Sequence, residues 1–146
     1  MTESHRKTIF SSKNNSWCTP RDLFAEINKE FNFTLDPCCM PKSALCKKYY
    51  TPDDDGLKQN WDNEIVFCNP PYNKIKDWVK KSSEAKGGIV VMLIPCRTDT
   101  KYFHEFIYNK AEIRFIKGRL KFIDLDRNIN TSPSPFPSML VIFKNK

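Results

Sequence analysis

The sequence predicts an α/β fold in which helices cover both faces of a mostly parallel sheet, giving a three-layer arrangement. Two patterns predict it. Apolar runs of strand length alternate along the chain with segments whose apolar residues recur at helical spacing. The most apolar run, residues 89–94, shows no polar alternation, as expected of a strand buried on both faces. Such strands are joined by right-handed crossovers.

Composition sets limits on structure and function. A chain of 146 residues with 40% hydrophobic content can build one core. It has no apolar run of membrane-spanning length and no signal-peptide pattern, so we expect a cytoplasmic protein without a membrane partner. Its six cysteines form no CxxC pair, and neither His5 nor His104 is suitably spaced, so we expect free thiols and no metal site. The net charge of +7 favours a polyanionic partner such as nucleic acid.

The domain is predicted to begin at Trp17. Residues 1–16 are polar and basic with little periodicity, which predicts a mobile arm ahead of a single domain at 17–146. Thr19 is a good N-cap residue and Pro20 suits the first position of a helix. Apolar residues then recur at helical spacing, which predicts a helix from Pro20 to about Phe31.

Two short strands and an acidic turn follow. Residues 33–39 predict a strand that runs into a tight turn, and 49–51 predict a second short strand. Asp36 ends the first strand, where its carboxylate could face a cationic or hydroxyl-bearing ligand or only stabilise the turn. The acidic turn at 53–55 is either only a solvent-exposed turn or one in which a single acid binds a ligand. It lacks the spacing of a calcium-binding loop.

The central strand is predicted at Ile65, Val66 and Phe67, and it ends in Asn69-Pro70-Pro71-Tyr72. The prolines cannot donate to a strand ladder and they stiffen the turn. They hold an amide and an aromatic ring at the carboxyl end of a strand, which is the edge where open α/β sheets bind ligands. Oxygen acceptors beside a ring suit a planar base with an exocyclic amine.

The remaining elements alternate in the same way. In order they are a helix at 74–86, a buried strand at 89–94, a loop at 95–100, a helical face at 102–107, strands at 112–116 and 120–123 around the turn 117–119, a proline-containing loop at 124–137 and a last strand at 138–143.

Six motifs occur in the order of one family: Trp17-x-Thr-Pro, Leu35-Asp-Pro, Asp55-Gly-Leu, Asn69-Pro-Pro-Tyr, Ile94-Pro-x-Arg and Gly118-Arg-Leu. With them the chain resembles the phage-type DNA N-6-adenine methyltransferases from about Trp17 to Phe143. The resemblance implies a compact Rossmann-like methyltransferase fold and S-adenosylmethionine as cofactor. It also implies direct methyl transfer to the exocyclic amine of a flipped adenine in DNA, in the host cytoplasm if the chain is phage-encoded.

The resemblance also implies roles for residues. Asn69, Pro70, Pro71 and Tyr72 take the catalytic positions. The cofactor positions are Thr19 and Pro20 at its methionine part, Asp36 and Pro37 in the first cofactor loop, Asp55 near its adenine, and Asp53 as a candidate for its ribose.

Four basic residues are predicted to contact DNA: Lys47, Lys48, Arg97 and Arg119. Arg97 follows the buried strand, so a parallel sheet would place it on the same edge as Asn69. Arg119 lies in a turn whose neighbouring strands could be antiparallel, so either edge of the sheet is open to it.

Other functions remain open on the sequence alone. Cys38-Cys39 stands where related enzymes have a glycine-rich turn, which would suit a nucleic-acid-binding module that has lost its cofactor. An amino-methyltransferase acting on RNA, on cytosine N4 or on protein glutamine could carry the same tetrapeptide. Pro95-Cys96 could serve a cytosine-C5 enzyme, but it follows a later strand. The target sequence and the oligomeric state are also open.

Overall fold

A six-stranded sheet forms the centre of the molecule. The structure, a computed structural model, describes residues 17–124, 127 and 129–146, so the predicted arm at 1–16 lies outside the described residues. The strands of this sheet are β2 (Leu35–Asp36), β3 (Lys48–Tyr49), β4 (Ile65–Cys68), β5 (Ile89–Pro95), β6 (Glu112–Phe115) and β9 (Ser138–Lys144). Their order across the sheet is β3-β2-β4-β5-β9-β6.

Strand directions decide which loops meet. Strands β2, β3, β4 and β5 are parallel, while β9 is antiparallel to both β5 and β6. Strand β6 therefore runs in the same direction as β5. As a result, the segments after β2, β4, β5 and β6 all leave the sheet at one edge, which we call the carboxyl edge.

Side chains of the central strands alternate between two apolar clusters. Val66 and Cys68 of β4 join the cluster that contains Trp78 and Val79 of helix α2 (Ile75–Glu84). Phe67, between them, joins the cluster that includes residues of helix α1 (Arg21–Phe31). The two helices thus cover opposite faces of the sheet, and the predicted three-layer α/β fold is confirmed.

The start of α1 differs from the prediction. Pro20 occupies the N-cap position and makes no side-chain cap, and the helix begins at Arg21. The prediction of Thr19 as N-cap and Pro20 as first helical residue was therefore wrong by one position. The Thr19 hydroxyl is instead used in a contact with a distant residue, described below.

A second, smaller sheet joins the beginning of the described chain to its last third. Strand β1 (Trp17–Cys18) pairs antiparallel with β7 (Ile123–Asp124), which pairs antiparallel with β8 (Ile129–Asn130). This sheet corrects two predictions. The strand predicted at 120–123 is instead Ile123–Asp124, and the loop predicted at 124–137 contains the strand Ile129–Asn130.

Two further differences concern helices. The predicted helical face at 102–107 is largely a π-helix, Phe103–Ile107. Short 3₁₀ helices occupy Pro41–Ser43, Gly56–Lys58 and Tyr72–Lys74. Within the described part of the chain, no helix is long and apolar enough to cross a membrane.

Candidate active site

A cleft of about 330 Å³ opens at the carboxyl edge, between the ends of β2 and β4. This volume lies at the lower end of the usual range for small-molecule sites, about 300–1,000 Å³. Its walls combine polar and apolar groups. The lining residues include Cys18, Thr19, Asp36, Pro37, Cys38, Cys39, Ser43, Leu45, Thr51, Pro52, Asp55, Gly56, Leu57, Phe67, Asn69, Pro71, Asn73, Lys74 and Trp78.

Asp36 is a buried carboxylate in the wall of this cleft. It ends β2 and its side chain is almost fully enclosed, with 3% of the residue exposed. The backbone N–H of Cys38 donates to its Oδ1 at 3.3 Å, and the N–H of Leu45 donates to its Oδ2 at 3.1 Å. Burial raises the pKa of Asp36 to about 6, while these two N–H groups oppose the rise. The carboxylate is therefore ionised at neutral pH at a cost that a cationic ligand would offset.

The loop after Asp36 packs directly against the acidic turn. A Cβ on Gly56 would lie 2.1 Å from the carbonyl oxygen of Pro37, so only glycine fits between the two segments. The Gly56 carbonyl accepts a hydrogen bond from the buried Trp61 indole at 2.9 Å. Asp55, which has a left-handed φ of 55°, is held by this packing at the rim of the cleft.

The three acids of this turn have different surroundings. Asp54 accepts hydrogen bonds from the backbone N–H of Thr51 at 2.9 Å and from its hydroxyl at 3.2 Å, so it stabilises the turn. Asp55 is half-buried and lines the cleft, whereas Asp53 is exposed and does not line it. The geometry thus favours Asp55 over Asp53 as a ligand-binding acid. Within the described residues, no group of acids, histidines and cysteines could hold a metal ion.

Asn69 lies directly after β4 and lines the cleft. Its Nδ2 donates a hydrogen bond to the hydroxyl of Thr19 at 3.1 Å. In the described part of the chain, no hydrogen-bond donor is recorded for its Oδ1. The amide nitrogen is therefore used within the protein, and the amide oxygen is the atom that can accept from a ligand.

Tyr72 contacts a second aromatic ring from another part of the chain. Its ring centroid lies 5.4 Å from that of Phe136, with the ring planes perpendicular. The guanidinium of Arg97 lies 5.8 Å from the Phe136 ring centre, within reach of a cation–π contact. Burial raises the pKa of Tyr72 to about 12, against the opposing charge of Arg97, so the phenol is neutral. Arg97 is exposed. Tyr72, Phe136 and Arg97 thus form one group on the carboxyl edge.

The other predicted DNA-contacting residues lie on different sides of the molecule. The ammonium of Lys48 is 2.7 Å from Glu64, which precedes β4 and so lies toward the amino end of that strand. Lys47 precedes β3, also at the amino end. Arg119 follows β6, on the carboxyl edge, and its guanidinium donates to the carbonyl of Ser134 at 3.5 Å. Only Arg97 and Arg119 of these four therefore share an edge with Asn69.

The cleft brings together most of the predicted site residues. Thr19, Asp36, Pro37, Asp55, Asn69 and Pro71 line it, whereas Pro20, Asp53, Pro70 and Tyr72 do not. Sequence reasoning missed Lys74, Trp78 and Phe136. Trp78 and Lys74 follow the Asn-Pro-Pro-Tyr turn closely in sequence, a signal that could have placed them nearby. Phe136 carried no such signal, because it lies in the segment between Asn130 and Ser138, far in sequence from the Tyr72 ring that it contacts.

An α/β sheet with helices on both faces, a cleft at its carboxyl edge and an Asn-Pro-Pro-Tyr turn beside that cleft define a Rossmann-like methyltransferase. Comparison with known proteins identifies the family. A family model for DNA N-6-adenine-methyltransferase (Dam) matches residues 6–146. The chain therefore belongs to the DNA N-6-adenine-methyltransferase family.

Two relatives carry the name of this family. The DNA N-6-adenine-methyltransferase of Haemophilus phage HP1 (strain HP1c1) is 32% identical over 152 aligned positions, covering 100% of this chain and 86% of the relative. That of Escherichia phage T1 is 33% identical over 116 positions, covering 77% of this chain and 48% of the relative. This chain thus matches about half of the T1 protein and most of the HP1 protein.

The Gly56 contact can be tested with a matched pair of glycine substitutions. Gly56→Ala should lower the free energy of unfolding by about 3 kcal/mol, since the new methyl group would overlap a backbone oxygen. Gly118→Ala should cost about 1 kcal/mol, because Gly118 has a φ of +80° but nothing within 4 Å of a Cβ. Urea unfolding measures both. Equal losses would contradict the close approach at Gly56.

Proposed function

We propose that this protein transfers a methyl group from S-adenosylmethionine directly to the exocyclic amine of an adenine flipped out of DNA. The observation that carries the proposal is the Asn69 amide at the end of β4. Its nitrogen donates to Thr19, and within the described residues its oxygen accepts no hydrogen bond, so it can accept one from a ligand. Family membership supports DNA adenine as the target. The net charge of +7 is consistent with a polyanionic substrate.

The residues of the turn act on the nitrogen that is methylated. The adenine amine is a poor nucleophile because its lone pair is delocalised into the ring. Asn69 Oδ1 and the Pro70 carbonyl would accept its two hydrogens and favour a more pyramidal nitrogen. Both oxygens also stabilise the positive charge that develops there as the new C–N bond forms. An amide oxygen is a weak base, so the proton released by the product passes to water.

The lining of the cleft suits the chemistry of the proposed cofactor. Asp36 and Asp55 supply carboxylates for its cationic and hydroxyl groups, and Trp78, Leu57 and Phe67 supply apolar surface for its base. Lys74, also in the wall, suits a ligand carboxylate. When bound, S-adenosylmethionine supplies an activated methyl group on a sulfonium whose leaving group is a neutral thioether. The chain's own task is to hold acceptor and donor in line.

Tyr72 and Phe136 would hold the adenine ring. Stacking on an aromatic side chain is worth roughly 1–3 kcal/mol per base. The perpendicular contact of Phe136 restrains the Tyr72 ring, and Arg97 lies above Phe136. Arg97 could then bind a phosphate beside the flipped nucleotide, and Arg119 could bind one from the same edge.

The test is incubation of unmethylated DNA with labelled S-adenosylmethionine, followed by nucleoside analysis. We expect label in N6-methyldeoxyadenosine. Label in N4-methyldeoxycytidine or only in RNA would replace the proposed target with another amine. Label in 5-methyldeoxycytidine would instead indicate a cytosine-C5 enzyme that uses Pro95-Cys96. Calorimetry without detectable cofactor binding would support a binding module instead.

Asn69→Ala should abolish most methyl transfer while leaving cofactor binding nearly intact. The substitution removes an acceptor whose interaction is strongest in the transition state, so kcat should fall by about 10²-fold or more. Single-turnover kinetics and calorimetry measure the two effects. An Asn69→Ala variant with near-normal turnover would rule out the role of Asn69.

Asp36 should make cofactor binding depend on pH. A cationic ligand prefers the ionised carboxylate, and the pKa of Asp36 in the free protein is about 6. Affinity should therefore be constant above about pH 7 and fall as the pH drops below 6, approaching tenfold per pH unit. Asp36→Asn should bind the cofactor more weakly at pH 7.5 and show a flat profile.

The matched control for that titration is Asp22→Asn, which changes an exposed acid on α1 outside the cleft. It should keep the wild-type affinity and pH profile. A wild-type affinity that did not change between pH 7.5 and pH 5 would exclude a ligand contact for Asp36.

Arg97→Ala should weaken DNA binding and reduce its salt dependence. Loss of one phosphate contact lowers the slope of log K against log salt by about one. Lys29→Ala is the control, because Lys29 lies in the last turn of α1, shortly before β2 begins at the amino end of the sheet. Fluorescence anisotropy at several salt concentrations measures both variants. An unchanged slope in Arg97→Ala would remove Arg97 from the DNA surface.

A further inference from the structure

We infer that Thr19 is a positioning residue for Asn69: its hydroxyl anchors the Asn69 amide beside the reacting amine. The inference rests on the proposed function and assigns one more residue to it. The family resemblance implies a cofactor contact for Thr19, whereas the structure gives its hydroxyl a contact with Asn69.

The orientation of this amide matters because its two ends have opposite chemistry. The oxygen accepts hydrogen bonds and the nitrogen donates them. A rotation of 180° would keep the shape of the side chain but would present two donors to an amine that is itself a donor. The amide must therefore be held in place, and its hydrogen bond to Thr19 is a contact that anchors it.

Thr19 is suited to that task by its burial and by its fixed backbone. Only 3% of the residue is exposed, so water competes little for its hydroxyl. The preceding Cys18 pairs with Ile123 in the small sheet, and the following Pro20 is the N-cap of α1. Thr19 is thus held between a strand and a helix, and its oxygen lies 3.1 Å from Asn69 Nδ2.

The same small sheet leads to the ring that contacts Tyr72. Strand β7 pairs with β8, and the next residue, Thr131, donates its N–H to the Phe122 carbonyl at 2.7 Å. The segment 131–137 that follows carries Phe136 to Tyr72. The anchoring of the Asn69 side chain and the position of the aromatic pair therefore both involve one structural unit.

The test compares Thr19→Val, which keeps the shape but removes the hydroxyl, with Thr19→Ser, which keeps the hydroxyl. Thr19→Val should lower kcat by about tenfold, the scale of one lost hydrogen bond, with cofactor affinity unchanged by calorimetry. Thr19→Ser should restore most of the turnover. Thr34→Val is the control, because the Thr34 hydroxyl bonds Ile65 and Glu64 just before β4, away from the cleft.

A double substitution separates anchoring of the amide from packing. Asn69→Ala removes the amide that Thr19 anchors. In that background Thr19→Val should change kcat by less than about twofold. An equal, tenfold loss in both backgrounds would overturn the positioning role, as would a fall in cofactor affinity for Thr19→Val, which would favour direct cofactor contact.

A spectroscopic measurement tests the contact without turnover. The Nδ2 proton signals of Asn69, assigned by their loss in Asn69→Asp, should shift and exchange faster in Thr19→Val and remain near their wild-type positions in Thr34→Val. Unchanged signals in Thr19→Val would overturn the Thr19–Asn69 contact. Absence of methyl transfer by the wild-type protein would instead overturn the proposed function and the catalytic part of this inference, whatever the signals show.

Discussion

The structure depends on where strand β4 stops pairing. Its ladder with β5 ends at Cys68 opposite Met92, while β5 continues to Pro95 against β9. Pro70 and Pro71 cannot extend the ladder, so the chain leaves the sheet at its centre rather than at its end. This early exit places Asn69 in the wall of the cleft beside the end of β2, on the edge of the sheet from which Arg97 also emerges. The proposed chemistry requires all three in one place.

Elements distant in sequence complete the site because sheet topology brings them to the same edge. The antiparallel insertion of β9 makes β6 parallel to β5, so Arg119 emerges on the side of Asn69. The small sheet brings Thr19 to Asn69 from fifty residues away. The close fit of Gly56 against Pro37 sets Asp55 at the rim. Together these contacts bring Asp36, Asp55 and Asn69 into the walls of one cleft.

Much of this arrangement could be predicted from the sequence. The uninterrupted apolar run at 89–94 and the proline stop after Cys68 predict the two central strands and the turn at Asn69, since both signals are local. The small sheet could not be predicted, because two-residue strands carry no periodicity. The role of Thr19 was missed for a related reason, as its hydroxyl bonds a distant side chain instead of the nearby helix end. Lys48 is basic in sequence, but its proximity to Glu64 appears only in three dimensions.

The central claim is that the turn after β4 receives the adenine amine. A crystal structure of the protein with S-adenosylhomocysteine and an adenine-containing oligonucleotide tests it most directly. The account predicts the amine nitrogen within hydrogen-bond distance of both Asn69 Oδ1 and the Pro70 carbonyl, with Asn69 Nδ2 still bound to Thr19. An adenine bound elsewhere, or an Asn69 amide turned with its nitrogen toward the base, would contradict it.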